Sequence, residues 1–528
     1  MKKMIKTREI LCFSLALTLF LVACGGQNTD SQTATDATET VAFTQEESTL
    51  VYGNTQGPTN LDVAESWNSW YVTEYGIAET LYVLDENLNP QPWLASSCTM
   101  LDEYTWEIEL NEGITFQNGK ELDAQAVMEC WERTLEENVR LSEVLYIDTM
   151  EAEGLTLTVR TTKPVPSFIN CLCEPLTAVV DVESEDMENA PIGTGPYMVE
   201  SFEADNQTTV VAYADYWGGT PALDRVTFEV LGDSQSVSMA LQSGDIDVAI
   251  NIPSASLEIF EEDEDYIVSA ATGGRAEVIF INFDNLYLQD KALRQALSMI
   301  IDKESYAEVL NDGNSTSAEG LYPDFTDYAA EEGTGPSYDP EAAAEILAEA
   351  GYVDSDGDGY LEQDGDGENV SLRLATYSAR SELSSYCEEI CAAAAEIGID
   401  LNLEVYEDVT EQESTGDFDL LMVSFNMMPT GDPQYFADLA FKSDGSCNYG
   451  HYANEEVDAL IETLDCEFDA QTRTDLVLEI QEQVMEDVGF IVVGHANFTI
   501  VMNADVINLE ANASEYYLLD QDVSIESE

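Results

Sequence analysis

Segments of strand period and segments of helix period alternate along most of this 528-residue chain. That alternation points to an α/β or mixed layered body and argues against an all-α or all-β one. Tyr104, Trp106, Ile108 and Leu110 alternate with Thr105, Glu107 and Glu109, the period of two of a strand with one buried face. Leu155, Leu157 and Val159 repeat it behind Gly154, and strand-like apolar runs follow at 226–230, 277–283 and 490–493. Asp339-Pro340 predicts a helix start, with Asp as N-cap and Pro at the first helical position. Ala343, Ile346, Leu347 and Ala350 give that helix one apolar face, and Gly351 closes it. Asn454 is expected to cap a second helix that turns Val457, Leu460, Ile461 and Leu464 inward. Residues 371–377, 381–397 and 399–405 read strand–helix–strand, a βαβ unit. No internal repeat is evident.

The charge on this pattern is extreme: 105 Asp and Glu against 18 Lys and Arg, a formal net charge of −87. Apolar residues at 45% and aromatics at 9% nevertheless supply a core, which a disordered acidic chain lacks. The length suits about three domains of roughly 150 residues. So negative a surface repels phosphate backbones, which argues against a nucleic-acid partner. It also avoids anionic headgroups, so any membrane attachment must be covalent or inserted. The acids are scattered through the whole chain and read mainly as solvated surface. Beyond a Debye length of roughly 10 Å at 0.1 M salt they act little on a ligand. Two histidines, His451 and His495, leave little for imidazole-based metal sites or acid–base catalysis.

The first fifty residues read as an address. Lys2, Lys3, Lys6 and Arg8 precede an apolar stretch from Ile10 to Ala23, too short for a membrane span of roughly 20 residues but suited to a signal-peptide core. It ends Leu21-Val22-Ala23-Cys24-Gly25, a lipobox pattern in which Cys24 becomes the lipid-bearing N-terminus. Residues 1–23 are thus read as a lipoprotein signal peptide and 24–48 as a flexible polar tether. The protein is expected outside the cytoplasm, held to the outer face of the cell membrane by its N-terminal lipid. Eight cysteines remain besides Cys12 and Cys24. An even number permits disulfides, and eight allow 105 pairings that sequence does not choose between. Cys387 and Cys391, four apart on one helix, are poorly placed to pair, because their Cβ atoms sit about 5–6 Å apart. Cys171-Leu-Cys173 has no second half for a zinc site.

Several motifs follow one another in order. They are Pro92-Trp93-Leu94-Ala95-Ser96, then Gly113-Ile-Thr-Phe116-Gln-Asn-Gly119-Lys, then Pro191-Ile-Gly193-Thr194-Gly195-Pro196-Tyr197. Tyr216-Trp217-Gly218-Gly219 with Leu223-Asp224, Ser243-Gly244-Asp245-Ile246-Asp247, and Asp290 to Leu297 with Ile301-Asp302-Lys303 complete the series. Each also has a structural meaning: Gly193, Gly195 and Pro196 set a backbone crossover, Asn118-Gly119 a turn, and Arg294 and Asp302 helix-end or salt-bridge contacts. Together the chain resembles the extracytoplasmic solute-binding proteins of ABC transporters, in the oligopeptide/dipeptide/nickel-binding family (family 5).

That resemblance implies a periplasmic-binding-protein type II fold of α/β class. Two lobes are joined by crossing strands, with an extra inserted N-terminal domain. The expected division is 49–87, 194–282 and 497–528 for lobe I, 88–193 for the inserted domain and 283–496 for the other lobe. The implied function is a monomeric, lipid-anchored receptor. It closes on a peptide or similar small organic solute and delivers it to the permease subunits of an importer, with no cofactor and no chemistry on the ligand. An opine, a sugar or a nickel chelate as solute, or a sensor as recipient, stays open. The absence of G-x-S-x-G, H-E-x-x-H and G-x-x-x-x-G-K motifs agrees with a non-enzyme.

By analogy the cleft is lined by four segments. The first contributes Trp67, Asn68, Ser69 and Tyr71 (with Trp70), and the second is Phe280-Ile281-Asn282-Phe283. The third holds Phe425, Asn426, Met427 and Met428 before Asp432, and the fourth is Asn448-Tyr449-Gly450-His451-Tyr452. Met427-Met428 stands where peptide binders of the family place an Asp for the substrate ammonium, so Asp432 is the candidate substitute. Separately, Asp354, Asp356, Asp358 and Tyr360, with Asp364 beside position 12, match the first half of a calcium loop. Position 12 is Gly365 and not the bidentate Glu. A structural calcium and an acidic turn are both compatible with that stretch.

Overall fold

The computed structural model describes residues 47–526, apart from 332 and 364–367. The signal segment, Cys24, tether residues 25–46 and Asp364 lie outside the described residues. At the start of the described body the Ser48 N–H donates to the Asp224 carboxylate at 2.8 Å. This fixes the entry into the first strand, Thr49–Asn54.

One large mixed sheet runs through both lobes. Its strands follow the order Asp400–Tyr406, Ser371–Tyr377, Leu420–Asn426, Tyr266–Ile281, Phe490–Asn503, Val248–Ile250, Thr49–Asn54, Arg225–Val230, Gln207–Ala212 and Tyr197–Glu203. Tyr266–Ile281 and Phe490–Asn503 are long antiparallel partners that pass from one lobe to the other. At one end Tyr266–Thr272 pairs with Asn503–Asn497. At the other end Arg275–Ile281 also pairs with Asn426–Leu420. The register shifts between Thr272 and Ala276, at Gly273-Gly274, just before the strand gains its second neighbour at Arg275. These are the crossing strands that the motifs imply. An antiparallel four-stranded sheet, Ala95–Asp102, Thr105–Leu110, Thr156–Thr161 and Ile147–Glu153 in spatial order, forms the inserted domain with helix Ala124–Glu137.

Local chemistry accounts for the elements. Trp106, Ile108 and Leu110 are buried and their alternating neighbours half-exposed, so the period of two is a real two-faced strand. Asp339 caps Pro340–Glu349 by accepting from the Ala342 N–H. Ala343 and Leu347 carry the buried face, whereas Ala350 lies past the helix end and is exposed. Asn454 accepts from the N–H groups of Glu456 and Val457 and opens Glu455–Leu464. The βαβ unit forms as expected: Ser371–Tyr377 and Asp400–Tyr406 are parallel neighbours joined by helix Ser381–Glu396. Eight described cysteines are free thiols, and Cys387 Sγ lies 3.4 Å from Met422 Sδ. No described helix is long and apolar enough to cross a membrane.

A candidate solute site between the lobes

Both lobes and the inserted domain contribute to a cavity of about 600 Å³, a size typical of small-molecule sites. Its floor is the crossing region. Arg275 and Glu277 stand two apart on one strand and share a face, opposite Asn426 and Ser424 respectively. Helix Asn68–Glu74 supplies Trp70, Tyr71 and Glu74, with Trp67 at its N-terminus. The inserted domain adds Arg140 from helix Val139–Leu145. Arg380 enters from the turn before helix Ser381–Glu396.

Three guanidinium groups on one cavity are a large share for a chain with 18 basic residues. Each stands beside an acid. Arg275 Nε lies 3.0 and 2.9 Å from the two Glu515 oxygens. Arg140 Nη2 donates to Glu174 at 2.6 Å, and its guanidinium carbon sits 3.6 Å from the centroid of the Trp67 ring. Arg380 Nη1 is 3.8 Å from Glu382. Burial works against the charge of Arg380, but Tyr377, Glu382, Glu515 and Glu277 outweigh it and raise its pKa. Pairing fixes the forks in place while leaving donors free for a carboxylate guest.

The acids respond in the opposite sense. Burial pushes Glu277 up to about 8, with repulsion from Glu382 second. It pushes Glu74 up to about 8 as well, with Glu515 second, and Glu413 up to about 7, with Asp408 second. A carboxyl with a raised folded pKa keeps a proton that the unfolded chain has already lost. Its contribution is therefore complete below the unfolded value of 4.5 and is lost as the pH rises through about 8. The ligand-free melting temperature should fall steadily between pH 5 and pH 8.5. Each group adds a slope of at most about 1.4 kcal/mol per pH unit. A differential scanning fluorimetry series checks this, and a flat or rising profile over that interval contradicts it.

Four cavity residues carry buried polar atoms with no protein partner among the described residues: Trp70 Nε1, Arg140 Nε, Glu277 Oε2 and Ser424 Oγ. Orphaned buried groups are rare in folded proteins, and on a cavity wall they mark what a guest satisfies. Burial pushes the Cys447 thiol on this wall up, away from the thiolate.

The residues expected in the cleft divide into two sets. Trp67, Trp70, Tyr71, Phe425, Asn426 and Tyr449 line the cavity, and Asn68, Ser69, Asn282, Met427, Met428, Asp432 and His451 lie elsewhere. Asn68 is buried and donates to Asn60 at 2.9 Å. Ser69 is fully buried beneath the helix. Asn282 donates to the carbonyls of Gly416 and Phe418 at 3.0 and 2.7 Å, tying a loop. Met427 and Met428 are core residues. Asp432 is consumed by Arg473, with Nη2 2.9 Å from both of its oxygens, so it does not supply the missing ammonium contact. His451 is exposed on the outside, its Nδ1 2.8 Å from Asp284; Tyr449 of the same loop reaches the cavity instead. In the acidic loop, ligand atoms of Asp354, Asp356 and Asp358 lie within 4.8 Å of one another. Asp354 also accepts from the N–H groups of Gly357 and Gly359, and Asp358 from the Tyr360 N–H, as in an ordinary acidic turn. Arg140, Arg275, Arg380, Glu74 and Glu277 had not been singled out; the scarcity of arginine in so acidic a chain was the available signal.

Residues 89–448 match the model of the bacterial extracellular solute-binding proteins, family 5. The chain belongs to that family. It is 27% identical over 453 residues to the nickel-binding protein NikA of Staphylococcus aureus (strain NCTC 8325 / PS 47), covering 85% of this chain and 89% of that one. The crystal structure of Staphylococcus aureus NikA in complex with Ni(L-His)2 superposes with a TM-score of 0.81 at 26% identity, over 91% of this chain and all of the other. That of a nickel ABC transporter protein from Bacillus halodurans gives 0.74 at 30% identity, again over 91% of this chain and 100% of that one. As a family-5 protein, the molecule has the type II periplasmic-binding-protein fold and is a solute-binding receptor of an ABC importer for peptide or nickel chelate. Its relatives are transport proteins and not enzymes.

Proposed function

We propose that this family-5 protein captures a small amino-acid-derived solute, a short peptide or a related zwitterion, and presents it to the permease while tethered through lipid on Cys24. The carrying observation is the set of three half-buried, acid-braced arginines on a cavity of about 600 Å³. Guanidinium forks of this kind recognise carboxylates. The volume matches a guest of a few residues. The body is divided as the motifs suggest, with 88–193 inserted between parts of lobe I.

A second reading, a nickel–histidine chelate, is favoured by two of the relatives that match over most of their length, one solved with Ni(L-His)2 and one described as a nickel ABC transporter. Such a complex also presents carboxylates to the arginines. It carries its own metal ligands, so the cavity has no need of a metal-binding triad. The experiment is a thermal-shift and calorimetry panel of trialanine, nickel(II) with two equivalents of L-histidine, nickel(II) alone and L-histidine alone. Trialanine should raise the melting temperature by several degrees and nickel(II) alone should not. A shift with the nickel–histidine mixture only would select the second reading. No shift with any member, together with no small solute released from the denatured protein, would remove both.

A further inference from the structure

The floor of the cavity carries an acceptor that the arginines do not explain. Glu277 is 1% exposed and its Oε2 has no protein hydrogen-bond partner among the described residues. Its cross-strand neighbour Ser424 has an orphaned hydroxyl as well. Two adjacent unsatisfied groups on one face of one sheet extend the polar floor that Arg275 and Asn426 begin. The backbone opposite Glu277 is Gly494, where an added Cβ would lie 3.4 Å from Glu277 Oε2. A larger residue there would crowd the carboxyl.

Burial and then Glu382 push its pKa up and outweigh the guanidinium groups of Arg380 and Arg275, which pull it down. Arg275 is committed to Glu515 and Arg380 stands beside Glu382. His495, next to Gly494, is buried, and burial lowers its pKa to about 4, with Lys303 second. It is neutral at physiological pH. The Lys303 ammonium donates to the Ala318 carbonyl at 3.1 Å, and the Tyr386 hydroxyl lies 3.4 Å from Ser315 Oγ. Leaving a buried carboxyl unsatisfied is costly even when it is neutral. A group retained under that penalty on a ligand cavity is poised for a guest.

We propose that Glu277, with Ser424 beside it, receives the amino nitrogen of the bound solute while the arginines hold its carboxylates. The site then reads a zwitterion by both ends. The inference rests on the receptor reading above and sharpens it. Where peptide binders of the family use an Asp on the loop after Phe425, this chain takes the acceptor from the crossing strand. The shared chemistry is an N–H-bearing amino group, supplied by a free ammonium of a peptide or by the metal-bound amine of a chelate.

Binding of a cation stabilises the ionised carboxylate and so releases the proton that burial keeps on Glu277 at neutral pH. Affinity should therefore rise with pH up to about 8, by at most about tenfold per unit. Glu74 and Glu413 also titrate in this interval, so the wild-type minus Glu277→Gln difference is the quantity to read. The test uses the full mature protein with trialanine, N-acetyl-trialanine and nickel(II)–L-histidine as probes, in calorimetry at pH 6 and 7.5 in two buffers of different ionisation enthalpy.

Trialanine should bind the wild type with release of up to about one proton. It should bind Glu277→Gln at least tenfold more weakly, with that release gone. N-acetyl-trialanine should bind both proteins alike. Ser424→Ala, a smaller change, should weaken trialanine binding several-fold and leave the acetylated probe unaffected. If nickel(II)–L-histidine and not trialanine shows the Glu277 dependence, the amine is the metal-bound one and the assignment stands. If trialanine and its acetylated form bind wild type and Glu277→Gln equally, the assignment falls while the receptor reading survives. If no probe binds the wild type, both fall together.

Discussion

Replacing Arg473 by Met should be among the most damaging single substitutions in the body of the molecule, although it lies outside the cavity. Arg473 and Asp432 are 9% and 8% exposed. Nη2 serves both carboxylate oxygens at 2.9 Å and Gln434 Oε1 at 3.0 Å. Nη1 donates to the carbonyls of Leu464 and Glu467 at 3.1 and 3.3 Å. One guanidinium thus closes the helix Glu455–Leu464, anchors Ala470–Glu486 and neutralises an acid on the loop behind the cavity. Removing it strands a buried carboxylate, which costs about 3–5 kcal/mol. If that lobe unfolds as one unit of about 200 residues, the melting temperature drops by roughly 6–20 °C. The double variant Arg473→Met with Asp432→Leu should recover a good part of the loss, because it removes the uncompensated charge with its partner. A single-variant shift below about 2 °C, or a double variant no better than the single, contradicts the account.

The same pair shows what sequence patterning does not reveal. Asp432 looked available as the ammonium partner because it follows the cleft segment 424–428 closely. Its true partner is 41 residues away, on a helix whose period signals only amphipathicity. Met427 and Met428 were placed in the cleft by the same proximity, yet one residue after Asn426 the chain turns away. Met427 N–H donates to the Gly274 carbonyl at 2.8 Å, and both side chains join the core. His451 failed for a related reason: its side chain lies outside against Asp284, and Tyr449 is the residue of that loop that lines the cavity.

Scaffold motifs were legible because their residues meet. Trp93 Nε1, the Tyr216 hydroxyl and Trp217 Nε1, from two motifs separated by more than a hundred residues, all donate to buried Glu79, at 2.7, 2.6 and 3.0 Å. Arg294, expected to serve a structural contact, donates to the carbonyls of Leu288, Gln289, Asp487 and Val488. Asp302 caps the short helix at Lys303–Ser305. The polar cavity groups left no such trace. Glu277 opens a run, 277–283, that reads as the start of a buried strand, whereas the strand begins at Tyr266. Its first half is partly exposed and mixed in character, so its period is weak. A single buried acid in such a strand gains meaning only when the fold shows that nothing pairs with it.

The clearest test of the scaffold reading is Gly195→Ala, with Gly193→Ala as its companion. The two glycines lie where the chain leaving the inserted domain passes over residues 76–78 at backbone contact. The Gly195 N–H donates to the Ile77 carbonyl at 3.1 Å and the Tyr197 N–H to the Gly76 carbonyl at 3.0 Å. Gln117 Nε2 clamps the crossing by donating to the carbonyls of Ile77, Gly195 and Tyr197. A methyl at Gly195 would sit 2.3 Å from the Gly76 carbonyl oxygen, and one at Gly193 2.0 Å from that of Ile77. Both obstacles are main-chain atoms and have no rotamer to give, so the two segments must part and the Gln117 clamp must break. The cost should reach about 3 kcal/mol or more, the upper end for overpacking, and appear as a large fall in melting temperature or as loss of soluble protein. Gly113→Ala is the control. Its φ is +88° but no heavy atom lies within 4 Å of the added carbon, so it carries only the backbone penalty of about 1 kcal/mol. Equal effects at positions 113 and 195 would mean that conformation, and not close approach, explains the glycines; a tolerated alanine at 195 would mean that the crossing is looser than its hydrogen bonds require.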